Sequence, residues 1–454
     1  MYRIQWKKAI CMVAAVFMLS SLLAGCAGNN ATKPAEDAAK KEETAKTEFS
    51  ADKKPEDYNC TLTTWGWDEN YWNTVTSAFN KKYPNVKFEY TPMANGDSVQ
   101  KYQTALAAGT ELPDIAWAII DSRAKLFELD MWEPLNKPPY NFDINQVFDY
   151  LKPVMVNSKG DVCGIEQSVS PAGLAYRRDL AKQYLGTDDP AELEKMLPTW
   201  DAFIEKGKEI KQKSGGEIFM WPGMGDAAQF IREQNPSPWV ENGKIMATKS
   251  LKPTLDLLVK FRDAGIVDKL DAWSPAWYAS YGQGKHMFAG CATWTSQFVI
   301  QPNDKDGKGK GHWGLMNAPG GNISWGGTTL GISKTCKNKD AAWEFIKFAT
   351  LSKEGAEAIK QIGNFTSAKE PYKDPNFASF KDEWFGGQDT GKFFIEQVIP
   401  QIKLRPMTKD DNIIHDAMQL VTTALNSNPQ MTSDEALKKL IEEIKNKLPD
   451  AQIE

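Results

Sequence analysis

A chain of 454 residues is longer than one hydrophobic core usually serves, so two domains are expected. Its 54 basic and 59 acidic residues leave a net charge of −5, which offers nucleic acid no electrostatic footprint and excludes it as a partner. The outlying figure is 16 tryptophans. Tryptophan either buries a large area or forms a platform, and the two uses have to be told apart.

The chain opens with Arg3, Lys7 and Lys8, an apolar run from Ala9 to Leu23, and then Leu23-Ala24-Gly25-Cys26. A cationic start, a short apolar stretch and small residues before a cut mark a secretory signal. The run is shorter than the roughly 20 residues a permanent span needs. Cysteine directly after Leu-Ala-Gly resembles the bacterial lipobox, which implies removal of residues 1–25 and acylation of Cys26. From 26 to 57 the chain is polar, with Phe49 the one large apolar side chain before Tyr58. Such a composition cannot bury enough apolar surface to fold, so it reads as a spacer.

From residue 58 a folded body is expected. Cys60 to Trp67 reads as a strand. Asp68 to Tyr83 reads as a helix carrying Trp72, Val75 and Phe79 on one face. Val86, Phe88 and Tyr90 alternate as a second strand. Ser98 to Ala108 is a helix broken by Gly109 and Pro113, and Asp114 to Ile120 a short apolar strand. Strands alternating with helices predict a parallel sheet under helical cover. Farther on, Thr199 is placed to cap a helix carrying Phe203, Ile204 and Ile210. Asp340 to Gln361 reads as one amphipathic helix, and Thr432-x-x-Glu435 as a capping box before Leu437, Leu440 and Ile444.

Enzyme signatures are wanting. His286, His312 and His415 are scattered, no Gly-x-Ser-x-Gly is present, and Gly282-x-Gly-Lys-His lacks the glycine spacing of a phosphate loop. Asp304-Lys-Asp-Gly307 reads as a polar turn, because Pro302 and Trp313 occupy positions where a calcium loop needs ligands. Cys60, Cys163, Cys291 and Cys336 lack metal spacing and allow three disulfide pairings or none. No cofactor and no metal is expected.

A set of landmarks in this order resembles the family 1 extracellular solute-binding proteins, the maltose-binding-protein-like group. They are Leu62-Thr-Thr-Trp-Gly-Trp67, Tyr83-Pro-Asn-Val-Lys-Phe88, Leu112-Pro-Asp-Ile115, Tyr176-Arg-Arg-Asp-Leu180 with Pro198-Thr-Trp-Asp201, Gly282-Gln-Gly-Lys-His-Met-Phe288 before Trp294, Trp325-Gly-Gly-Thr-Thr-Leu-Gly-Ile-Ser333, and Ala342-Trp-Glu-Phe-Ile-Lys-Phe348. The resemblance implies an α/β, type II periplasmic-binding-protein-like fold with two discontinuous lobes on a hinge and a ligand cleft between them. Its expected lobes are 58–168 plus 330–370, and 169–329 plus 371–454. It also implies an extracellular carbohydrate-binding lipoprotein that delivers a mono- or oligosaccharide to the permease subunits of an ABC importer without breaking a bond. A secreted glycoside hydrolase and the same fold holding a non-sugar solute are the rivals. A monomer is expected, tethered to the outer face of the membrane. Ala27 after the lipobox Cys points to a Gram-positive host.

Sugar rings pack their C–H faces on aromatics and pair their hydroxyls with carboxylates and amides. Open α/β sheets bind ligands beyond the carboxyl ends of their strands, which selects Trp67-Asp68-Glu69 and the stretch from Trp117 to Asp121. By resemblance, Asp68 and Asp121 fall at the family's sugar-binding acids, Trp294 at its stacking tryptophan, and Trp221 near another site aromatic. Glu69 stands where the family has Lys, and Ser122 where it has Arg. Trp277, Trp325 and Gln388 complete the candidate ligand contacts. Trp72, Trp132, Trp200 and Trp343 are assigned to packing.

Overall fold

The computed structural model describes residue 49 and residues 53–454. Cys26, the apolar run before it and most of the polar spacer lie outside the described residues. The described residues belong to one compact unit. Among the described residues no helix is long and apolar enough to cross a membrane.

The first lobe grows from strand β1 (Cys60–Gly66), helix α1 (Glu69–Asn80), β2 (Val86–Pro92), α2 (Ser98–Ala108), β3 (Ile115–Ile119), α3 (Ile120–Phe127) and the short β4 (Ile165–Glu166). Local chemistry explains these boundaries. Asp68 caps α1 by accepting the Tyr71 N–H at 2.9 Å, and α2 ends on Gly109 at φ +62°, a conformation glycine adopts without strain. Trp72, Val75 and Phe79 form the buried stripe of α1, as their spacing predicts.

The chain then passes into the second lobe through β5 (Pro171–Arg177), α4 (Trp200–Lys213), α5 (Met224–Gln234), α6 (Pro275–Ser280), β6 (Phe288–Ala292), β7 (Trp313–Met316) and β8 (Ile323–Ser324). It returns as β9 (Thr328–Ile332), α7 (Lys339–Leu351) and α8 (Lys353–Lys360), and finishes with α9 (Asp411–Ser427) and α10 (Ser433–Lys447). Thr199 caps α4 through the Ala202 N–H. Thr432 and Glu435 form the expected capping box of α10.

Two expectations need correction. The single helix over 340–361 is two, because Ser352 leaves helical geometry (φ −81°, ψ 153°) and its hydroxyl caps α8 through Gly355 N–H at 2.9 Å. A parallel arrangement holds only in part. The first sheet has the order β2-β1-β3-β9-β4, with β1 parallel to β2 and β3 but β9 antiparallel to its neighbours. In the second sheet β5 pairs with β6, β7 and β8, all antiparallel.

The segments between the two sheets lie side by side. Gln167 N–H donates to Thr328 O, Trp325 N–H to Ser170 O, and Val169 N–H to Phe365 O, each at 2.8 Å. Gly326 and Gly327 carry φ of +87° and +128° in the returning segment. A Cβ on Gly327 would fall 2.6 Å from Glu166 Oε1, so this turn requires glycine twice over. Beneath it Arg123 and Glu166 form an ion pair at 2.7 Å, both 1% exposed.

Cys60, Cys163, Cys291 and Cys336 are all free thiols. Asp304 folds its own turn by accepting backbone N–H groups from Lys308 and Gly309, and no metal-holding cluster is present among the described residues.

Candidate ligand site

The tryptophans separate cleanly. Trp273, Trp277, Trp294 and Trp325 converge at one corner of the second lobe. Trp273 stacks with Trp294 at 6.1 Å between ring centroids and meets Trp277 at 5.0 Å and Trp325 at 6.4 Å. Trp294 and Trp325 meet edge to face at 5.5 Å, and the indole N–H of Trp294 donates to Trp325 O at 3.1 Å. Trp325 lies in the segment between β8 and β9, and Trp294 just after β6, so the cluster touches the inter-sheet segments directly. Gly290 on β6 makes room for the Trp325 ring, which occupies the space of a side chain there.

Trp273 was not among the sequence-derived candidates. It is 45% exposed, with φ at +67°. Left-handed geometry is unfavourable for a bulky residue and persists only where its surroundings impose it. Those surroundings are the start of α6, where Ser274 caps the helix and accepts the Trp277 N–H. The signal that could have found it is the density of Trp273-Ser-Pro-Ala-Trp-Tyr278, two indoles and a phenol around a helix start.

Beside these rings opens a cavity of about 310 Å³, walled by Trp273, Trp325 and the polar faces of α5 and α9. On α5, Asp226 and Gln229 are one turn apart. On α9, Asn426 presents an amide one turn beyond Thr422, whose hydroxyl donates to Met418 O at 2.8 Å. Asp226 is buried and accepts the Trp277 indole N–H at 3.0 and 3.1 Å. Burial pushes its carboxyl up to about 7, against the hydrogen bonds from Trp277 and the first turn of α5. Trp277, 1% exposed, therefore holds Asp226 and underlies Trp273; it has no ring face open to a ligand.

The first-lobe candidates form a separate group. Trp67 is half-buried and packs edge to face on Trp117 at 5.2 Å. Asp68 is occupied as the α1 cap, and burial holds its carboxyl above the usual range. Glu69 is exposed at the first turn of the same helix. Asp121 is exposed at the start of α3, the helix that packs on α9 from the second lobe. There it counteracts the burial and the Arg232 charge that hold His415 below the usual histidine range.

Like Trp277, three further candidates are corrected. Trp117 is fully buried in β3, where Tyr102 Oη accepts its backbone N–H at 3.0 Å. Trp221 is equally buried, among Trp200, Phe203 and Phe230. Neither has a ring face to offer. Gln388 spends its side-chain amide on β7, accepting Leu315 N–H at 2.8 Å and donating to Leu315 O at 2.9 Å, which fixes a strand rather than a ligand.

Two α/β lobes joined by adjacent crossing segments, with aromatic rings gathered at the crossing, define a binding protein of the type II periplasmic fold. The chain belongs to the family described as bacterial extracellular solute-binding protein, whose model matches residues 74–382. It is similar to a lactose-binding protein of Rhizobium radiobacter, at 26% identity over 374 residues, 74% of this chain and 82% of the relative. It is also similar to an arabinooligosaccharide-binding protein of Bacillus subtilis (strain 168), at 22% identity over 382 residues, 79% of this chain and 80% of the relative. Among solved structures, an extracellular solute-binding protein of family 1 superposes with a TM-score of 0.74 at 22% identity, covering 85% of this chain and 99% of that one.

Proposed function

We propose that the protein captures a carbohydrate outside a Gram-positive cell and delivers it to the permease subunits of an ABC importer, as a monomer anchored by a lipid on Cys26. The observation that carries the reading is the exposed face of Trp273 beside Trp294 and Trp325, over a cavity walled with carboxylate, amide and hydroxyl groups. Aromatic faces answer the C–H side of a pyranose, and the polar walls answer its hydroxyls. The sugar names of the two relatives favour the same class. Trp294 and Trp325 connect the rings to the segments between the lobes, so a sugar held there favours the closed arrangement of the lobes.

The test is a thermal-shift panel of lactose, arabinooligosaccharides, neutral hexoses and pentoses. A member at 100 times its Kd adds about 2.7 kcal/mol of stability. No shift with any member, confirmed by calorimetry, would end the carbohydrate reading. Binding is the whole function in this account, so prolonged incubation with lactose or arabinooligosaccharides yields no shorter sugars. Cys26→Ser releases the protein from the membrane fraction and ends its labelling by palmitate; persistent labelling would refute the anchor.

A further inference from the structure

Resting on the carbohydrate reading, we propose that the cavity walled by α5, α9, Trp273 and Trp325 seats one uncharged sugar ring and turns away anionic sugars. Its volume of about 310 Å³ is about twice that of an engineered cavity that holds benzene. A pyranose with its hydroxyls and a little water fills such a space, so any further ring of a longer sugar extends beyond it.

The charge pattern determines the class. An anionic ligand needs unpaired donors or a cation. At the start of α5, where backbone N–H groups would attract an anion, the Asp226 carboxylate already stands against the Gly223 and Asp226 N–H groups and accepts the Trp277 indole N–H. Asp271 adds a second, exposed carboxylate to the lining. Among the described residues that line the cavity, Arg232 is the only cation. Its guanidinium donates from Nε to Glu233 at 2.9 Å and from Nη2 to the Gln229 side-chain carbonyl. A uronate or sugar phosphate entering here meets two carboxylates against a single guanidinium that already pairs with Glu233. A neutral ring meets acceptors for its hydroxyl protons on Asp226 and on Thr422, whose own proton goes to Met418 O, and an amide on Asn426 that gives and takes hydrogen bonds.

The experiment is calorimetric titration at pH 8, where Asp226 is ionised. Glucose, galactose, mannose, arabinose and lactose are the neutral probes, and glucuronate, galacturonate and galactose 6-phosphate the anionic ones. The tightest neutral probe should bind at least tenfold better than every anionic one. Asp226→Asn, which keeps an oxygen acceptor for Trp277, and Asp271→Asn should each narrow that gap. Gln229→Ala should weaken the tightest neutral probe at least tenfold. An anionic probe binding as tightly as the neutral ones, or a gap unmoved by both Asn variants, overturns the proposal. Unchanged neutral binding in Gln229→Ala and Trp273→Ala, with loss in Trp294→Ala, places the sugar outside this cavity and overturns the inference alone. Absence of binding by every probe overturns the carbohydrate reading as well.

Discussion

Trp117 stands in the middle of the first sheet with none of its surface exposed, and Trp273 at the edge of the second lobe with 45% of its surface open. The first is held by regular structure. Its backbone belongs to β3 and its ring is packed by Trp67, Tyr71 and Trp72. The second is held against its own backbone preference, at φ +67°, by a capped helix that starts beside it. Packing without strain is what a core requires, whereas strain at an exposed aromatic is the mark of a residue kept for contact. The same side chain thus fills the core in one lobe and stands open at a cavity wall in the other.

The largest effect expected from this contrast is Trp117→Ala. Removing a fully buried indole leaves a cavity and should cost about 3–5 kcal/mol in urea unfolding, with the sugar affinity of the surviving folded protein unchanged. A loss below about 1 kcal/mol would mean that the first-lobe indole is no more structural than the second-lobe one.

Asp226 sharpens the comparison from beneath Trp273. Its folded-state carboxyl, raised to about 7 by burial, lies above the ordinary value of 3.8. The folded state therefore binds the proton more tightly, and that contribution to stability is complete below about pH 4 and lost as pH rises through about 7. The loss is on the order of a few kcal/mol. Asp226→Asn removes a titrating group, so the variant should fall less than the parent between pH 4 and pH 8 in urea unfolding. Parallel pH curves would contradict the burial of an unpaired carboxylate at this position.

The smallest stability effect is expected at Asp68. Asn is as good a helix cap as Asp, so Asp68→Asn should unfold within about 0.5 kcal/mol of the parent. Its affinity separates a cap from a ligand contact: a tenfold weaker titration with the tightest neutral sugar would add Asp68 to the site, and an unchanged one would leave it as the cap of α1.

How much of this was legible in the sequence follows the range of the interactions involved. Caps and stripes are local, and Asp68, Thr199, Gly109 and the Thr432–Glu435 box stand where their neighbours require. Ser352 is equally local, but the apolar period runs through it and conceals the break. The direction of β9 and the antiparallel second sheet depend on where the chain crosses between lobes, which no short pattern carries. Exposure is the least local property. Nothing in the sequence around Trp117, Trp221, Trp277, Trp294 and Trp325 marks which rings are open, and packing from distant segments decides that the first three are covered. At Trp273 the sequence shows only a density of aromatics, while the feature that sets it apart, its backbone angle, is not written there.

The central claim, that Trp273 is held strained and open for a sugar, is tested most directly by calorimetric titration and urea unfolding of Trp273→Gly. Glycine accepts φ +67° freely, so stability should stay level or rise by up to about 1 kcal/mol. Affinity for the tightest neutral sugar should fall by about 2 kcal/mol, roughly thirtyfold. Intact affinity with a stability loss of several kcal/mol would make Trp273 a packing residue and contradict the account.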